Sequence, residues 1–202
     1  MKRLGSIAIA VVMGAIVGGL GSGSAIAIPS ICDGIAGNIV SNCGFESGDF
    51  TSWTRSGNLG FTAVVAGEEN SGAFGASFGP VGSLGFITQN LSTTAGGTYD
   101  LEFWLRAAAG TPNRFQASWN GAIVFFLDNT PALPYTLFTV PGLTASTAST
   151  PLQFGFRHDP SFFLFDDVSV VGAAAAAVPG PSSLLLIGSG LAGLAILWRR
   201  RS

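Results

Sequence analysis

Few side chains in this chain can do acid, base or nucleophilic chemistry. His158 is the sole histidine, followed by Asp159 and Pro160 at what reads as a strand end, where a histidine is expected to be a surface or loop residue. No serine stands in a strand-to-helix nucleophile elbow. Glu68-Glu69 and Asp166-Asp167 are carboxylate pairs, but neighbours on an extended strand point to opposite faces, so neither pair is expected to reach one scissile bond. Cys32 and Cys43 are the only two cysteines, with no CxxC spacing between them. In an oxidising compartment they are expected to form one local structural disulfide worth about 2 to 3 kcal/mol, the alternative being two free thiols. What remains suits binding. Glu102, Trp104 and Arg106 alternate with apolar residues, as do Arg114, Gln116 and Ser118, and Arg157 joins them. An aromatic ring among amide, hydroxyl and charged groups is what sugar recognition needs, because the ring face stacks while polar edges hydrogen-bond. The alternative for Trp104 is burial beneath a loop or the second sheet.

Those residues are placed by short strands. Tyr99, Leu101, Phe103 and Leu105 oppose Asp100, Glu102, Trp104 and Arg106, and Phe115, Ala117 and Trp119 oppose Arg114, Gln116 and Ser118. Further strands are expected at about 38–41, 61–65, 73–78, 84–91, 122–127, 135–140, 151–158 and 162–171, separated by turn signals such as Gly96-Gly97, Asn120-Gly121 and Asn129-Thr130-Pro131. No amphipathic helix is expected between Pro29 and Val171. Many short strands at this spacing predict an all-β antiparallel sandwich of jelly-roll type over residues 28–172, with Trp53 and Trp119 in its core.

The chain has 202 residues, 48% of them hydrophobic and only 10% charged, figures raised by apolar segments at both ends. Residues 28–178 amount to one domain. They hold all 11 acidic residues against Arg55, Arg106, Arg114 and Arg157, a net charge of −7, which argues against a nucleic-acid partner. Lys2 and Arg3, an apolar run from Ile7 to Leu20 and the Ala25-Ile26-Ala27 pattern predict a signal peptide, residues 1–27, removed by signal peptidase. Residues 173–181 read as a spacer. Beyond it, residues 182–198 form an apolar run of about 25 Å as a helix, a marginal span of a hydrocarbon core of about 30 Å. Arg199, Arg200 and Arg201 in the tail 199–202 are expected to stay cytoplasmic, placing the domain outside the inner membrane.

Val178-Pro179-Gly180-Pro181, the apolar run and the terminal arginines occur in that order. Together they resemble the PEP-CTERM sorting signal of Gram-negative bacteria, with Gly180 where that motif usually carries Glu. The resemblance implies handling by an exosortase, a transient inner-membrane anchor on a periplasmic domain, and release to the cell surface or the exopolysaccharide matrix. The alternative is a plain tail anchor. A second resemblance joins the ends of the domain. Asn42-Cys43-Gly44-Phe45-Glu46 near its start and Asp166-Asp167-Val168-Ser169 at its close are similar to the jelly-roll carbohydrate-binding modules. It implies a structural calcium ion with Glu46 and Asp166 as side-chain ligands, Gly44 helping, and backbone carbonyls near 67–71; the alternative is that Glu46 caps a turn and Asp166 accepts backbone hydrogen bonds. Calcium takes six to eight oxygen ligands, so the lack of histidine and free thiolate does not count against it. The functional expectation is an exported, non-catalytic surface or matrix protein. Its competitors are a glycan-binding module using Glu102, Trp104, Arg106, Gln116 and Arg157, and a secreted hydrolase.

Overall fold

The computed structural model describes residues 29–173. The expected signal peptide, the sorting residues Val178, Pro179, Gly180 and Pro181, the apolar run 182–198 and the arginines 199–201 lie outside the described residues. Among the described residues no helix is long and apolar enough to cross a membrane.

Ten strands form two antiparallel sheets. The first has the order β1 (Thr54–Gly57), β4 (Gly85–Ser92), β9 (Ser149–His158), β6 (Asn113–Trp119) and β7 (Ala122–Asp128). The second has the order β2 (Thr62–Val65), β3 (Gly75–Phe78), β10 (Phe163–Gly172), β5 (Thr98–Ala107) and β8 (Leu133–Thr144). The expected all-β antiparallel sandwich is therefore present, with a single 3₁₀ turn, Ile31–Gly34, among the described residues. Period-two alternation decides the faces. Tyr99, Leu101, Phe103 and Leu105 of β5 are buried between the sheets, as are Phe115, Ala117 and Trp119 of β6 and Ile87 and Leu91 of β4.

The layer between the sheets is built from phenylalanine. Phe45, Phe78, Phe103, Phe115, Phe154, Phe156, Phe163 and Phe165 are all at most 1% exposed. Phe78 and Phe156 stack across the sheets with centroids 3.7 Å apart. Phe165 is the hub: its ring lies 4.6 to 6.4 Å from those of Phe45, Phe78, Phe103, Phe115, Phe154 and Phe156. Trp53 and Trp119 are core residues, as expected.

Two local expectations are corrected. Residues 38–41 form no ladder strand, because Asn38 does by side chain what a strand does by backbone. Its amide donates to the carbonyls of Cys32 and Val168 and accepts from the N–H of Val40 and Val170. The edge strand is instead Thr54–Gly57, which pairs with β4. The expected disulfide between Cys32 and Cys43 is present, and it fastens this N-terminal segment over the edge of β10.

Because Phe165 touches six rings at the centre of the sandwich, Phe165→Ala opens a cavity that β10, held on both sides, is poorly placed to close. A loss of about 3 to 5 kcal/mol is expected, measured as a lower urea midpoint at unchanged m-value. A loss under about 1 kcal/mol would show that the ring cluster is not the stabilising centre.

Candidate functional site

The chain passes from β5 in the second sheet to β6 in the first, so the two alternating polar rows do not share a face. Glu102, Trp104 and Arg106 point outward from the second sheet, while Gln116 and Arg157, with Arg114 and Ser118, point outward from the first. This corrects the expectation of one common ligand face. Alternation shows that a side chain points away from the core but not which sheet carries it.

On the first sheet, Phe86, Gly155, Gln116 and Phe126 are cross-strand partners in one row over β4, β9, β6 and β7. Phe86 is half-buried and sits between two glycines. A Cβ on Gly57 would come within 2.9 Å of one ring edge, and a Cβ on Gly155 within 2.8 Å of the other. Both distances are shorter than a van der Waals contact allows, so hydrogen at these positions is what admits the ring. Gln116 leans over Gly155 from the other side, its Cγ 2.9 Å from the same would-be Cβ. Gln116 is 8% exposed, and its amide has no hydrogen-bond partner among the described residues. The next row holds Thr54, Thr88, Gln153 and Ser118, with the Gln153 amide donating to the Thr88 hydroxyl at 3.0 Å. Toward the end of β4 the face opens into a groove lined by Ser52, Thr54, Thr88, Asn90 and Ser92. From Phe86 to Ser92 the outward positions run about 20 Å at roughly 3.4 Å per residue, room for an oligosaccharide.

The far end of this face is basic. Arg114 and Arg157 are direct cross-strand partners. Arg157 is neutralised by a bidentate pair to Asp159, both contacts 2.7 Å. That pair, helped by the N–H of Gly82, holds the Asp159 carboxyl down to about 2. Arg114 lies over the Phe126 ring at 5.9 Å, and its Nε is buried without a partner.

The outer face of the second sheet is different. The loop from Ala66 to Phe74 folds across it, so that a Cβ on Gly75 would meet the Glu68 carbonyl at 2.6 Å, and the Tyr135 hydroxyl donates to that carbonyl. Trp104 is half-buried beside Asp166 and Leu137. Arg106 pairs with Glu68 at 3.5 Å at the rim of a cleft of about 740 Å³. Leu59, Phe61, Val65, Leu164 and Phe162 make most of its wall. Its charged groups neutralise each other and its lining is chiefly apolar.

Under the same loop lies an acidic cluster. A bulge between Asp166 and Ser169, with Asp167 at φ +50°, brings both carboxylates to one place and corrects the expectation that they point apart. Asp166 Oδ2 accepts from the N–H of Asn70 and Ser71 at 2.8 and 3.1 Å. Asp167 accepts from the Asn70 amide and the Ser71 hydroxyl. Glu46 accepts from the N–H of Ala73 and Phe74, so the expected ligand carboxylates Glu46 and Asp166 serve successive residues of one loop. Gly44 borders the cluster, a Cβ there falling 3.5 Å from Asp166 Oδ1. Asp166 and Asp167 are 0% and 3% exposed, and neither has an ion-pair partner among the described residues. Burial, then the charge of Asp167, push the Asp166 carboxyl up to about 8, against the pull of three backbone N–H donors.

His158, expected at the surface, is fully buried. Its Nε2 lies 3.0 Å from the Ala108 carbonyl oxygen and its ring packs on Phe163, which withdraws the sole histidine from solvent and from chemistry there. Phe86, Gln153 and Phe126 were not singled out by sequence reasoning. The available signal was Gly155 inside a strand, since an interior glycine marks a close approach by another group.

Residues 177–201 match the PEP-CTERM protein-sorting motif, and no curated protein matches the chain in sequence. In three dimensions the chain is similar to a family 61 carbohydrate-binding module solved with β-1,4-galactotriose (TM-score 0.56, 19% identity, 67% of this chain and 98% of that one). It is also similar to the C-terminal family 22 carbohydrate-binding module of Clostridium thermocellum Xyn10B (TM-score 0.53, 13% identity, 69% of this chain and 98% of that one). A third likeness is to the enzymatically active domain of bacteriophage CBA120 tailspike protein 4 (TM-score 0.52, 17% identity, 67% of this chain and 21% of that one). The chain thus carries a PEP-CTERM sorting motif behind a domain with the jelly-roll fold found in carbohydrate-binding modules.

Proposed function

We propose that this is an exported, exosortase-processed, non-catalytic glycan-binding protein of the cell surface or exopolysaccharide matrix, and that its glycan lies on the outer face of the first sheet. The observation that carries the reading is the Phe86 ring held between Gly57 and Gly155 and flanked by the unpartnered Gln116 amide. An aromatic surface with polar groups at its edges matches a pyranose, whose axial C–H groups stack while its hydroxyls hydrogen-bond. The Gln116 amide has no protein partner among the described residues and is not sealed from solvent, so it is free to exchange water for a sugar hydroxyl. Export follows from the sorting motif at residues 177–201; signal peptidase, exosortase and, transiently, the inner membrane are the partners this route requires. The hydrolase alternative has no support in the described residues, where the lone histidine is buried and the acidic cluster is covered by a loop.

Glycan binding is tested by affinity electrophoresis through gels containing β-1,4-galactan, xylan and the exopolysaccharide of the producing cell. Phe86→Ala is expected to weaken retention at least tenfold, about 1.4 kcal/mol, with the sandwich still folded by circular dichroism because the ring lies outside the layer between the sheets. Trp104→Ala, on the opposite face, is expected to leave retention intact. Retention that survives Phe86→Ala and is lost with Trp104→Ala would move the site to the second sheet.

The acidic cluster fits a structural calcium ion in its chemistry. It offers hard oxygen donors from Asp166 and Asp167, buried carboxylates with no basic partner among the described residues. Glu46 caps the turn at Ala73 and Phe74 and would have to shift to join them, and Gly44 adds only backbone beside them. When bound, the ion would supply the missing positive charge and tie the segment after the disulfide to β10. In metal-free protein the Asp166 carboxyl titrates near 8 against 3.8 for the free group. A folded value above the unfolded one means that this group's contribution to stability is complete below about pH 4 and is lost as pH rises toward 8. Calcium competes with that proton, so its stabilisation grows across the same window. At pH 8 and calcium about a hundredfold above Kd, the melting temperature is expected to rise by roughly 5 to 10 °C over EDTA, and Asp166→Asn is expected to abolish both the increment and the pH slope. Identical melting in EDTA and calcium at pH 8 overturns the ion.

A further inference from the structure

The proposed glycan face ends in two arginines whose arrangement makes no sense as stabilisation. Only four basic residues stand in residues 28–178, and two of them, Arg114 and Arg157, are placed directly opposite each other on adjacent strands. Like charges so placed destabilise a sheet. Arg157 is compensated by its bidentate pair to Asp159. Arg114 is not: it makes no ion pair among the described residues, and its buried Nε has no acceptor. Asp128 is its cross-strand partner on β7, yet the guanidinium lies instead over the Phe126 ring. Two positions along β6 on the same face, the Gln116 amide has no protein partner among the described residues and remains open to solvent. A free cation and a free amide donor therefore converge beside Phe126, which is 60% exposed.

We infer that the glycan taken by this face is anionic, a polysaccharide containing uronic acid residues, with the uronate carboxylate received by Arg114 and Gln116 and the sugar ring lying against Phe126. The inference rests on the glycan reading of the first sheet and adds its ligand class. A carboxylate is planar and accepts from two donors at once, and charge-assisted bonds of this kind are about twice as strong as neutral ones. A neutral glycan would satisfy the amide but leave the guanidinium uncompensated. The domain as a whole is acidic, so the attraction is local, within a Debye length of roughly 10 Å at 0.1 M salt, and acts by contact rather than by long-range steering.

The test compares the full-length protein, isolated from a cell that exports it, on polygalacturonate, on the same polymer fully methyl-esterified, on alginate and on dextran sulfate, all in EDTA. Retention by polygalacturonate or alginate is expected to exceed that by the methyl ester at least tenfold and to fall toward it in 0.5 M salt. Arg114→Gln is expected to remove the preference while leaving retention by the methyl ester in place. Equal retention by the free acid and its ester, or a preference that survives Arg114→Gln, overturns the uronate assignment and leaves the glycan face standing. Retention by dextran sulfate equal to that by the uronates shows attraction to any polyanion and also overturns it. Retention by none of these polymers, nor by galactan or xylan, overturns the glycan reading itself.

Discussion

The structure depends on how the gap between its two sheets is filled. Stacked sheets lie about 10 Å apart, and here eight almost completely buried phenylalanines occupy that layer. A flat six-membered ring fills such a gap in many mutual orientations, stacked for Phe78 and Phe156 and edge-on for Phe103 and Phe154. Each ring removes a large apolar area from water. Stability concentrated in this layer makes two things possible at once. The polar residues at alternate positions need not contribute to folding, and the backbone beneath them is rigid. A site on the outer face of a sheet so anchored is pre-positioned, and the unpartnered Nε of Arg114 can be tolerated because the core offsets its cost.

The second constraint is charge. Residues 28–178 carry a net −7, and the charges are not spread evenly. Asp166 and Asp167 are brought together at the bulge of β10, where the Ala66–Phe74 loop covers them with backbone N–H groups and with Asn70 and Ser71 side chains. The N-terminal segment closes over the same place: the N–H of Ile31 donates to Ser71 and that of Cys32 to Asp167, with the disulfide holding the segment in position. Three separate pieces of chain thus converge on two carboxylates. That convergence is why this corner behaves as a fastening of first and last elements rather than as an open reactive centre.

How much of this could be read in the residues differs from element to element. The faces of β5 and β6 were legible, because alternation of large apolar and polar residues over six or more positions leaves a single inward face. The closure of the domain through Glu46 and Asp166 was legible only as a resemblance. That the outward residues of β5 and β6 belong to opposite sides of the sandwich was not legible, since the short connection through Pro112 can return to the same sheet or cross to the other with no change in pattern. Phe86 was hidden for a related reason. Its setting is made by Gly57 and Gly155, which are distant in sequence and become neighbours only through the register of β1, β4 and β9. His158 was misjudged because it sits at a strand end that the loops around Pro80, Pro112 and Pro160 happen to cover, a tertiary fact with no local sign.

The two outer faces also differ in a way that bears on function. On the second sheet the polar groups are already matched: Arg106 by Glu68, the Tyr135 hydroxyl by the Glu68 carbonyl, Asp166 and Asp167 by the loop. A ligand there would have to break existing bonds before making its own, and would regain little. On the first sheet Gln116 and Arg114 have no protein bond to break among the described residues and only hydration to give up. Since binding strength is the surplus of bonds made over bonds and hydration lost, unmatched donors beside an exposed ring are worth more than a deeper cleft whose charges are spent. That asymmetry, more than the size of any cavity, is what favours the first sheet in the proposed reading.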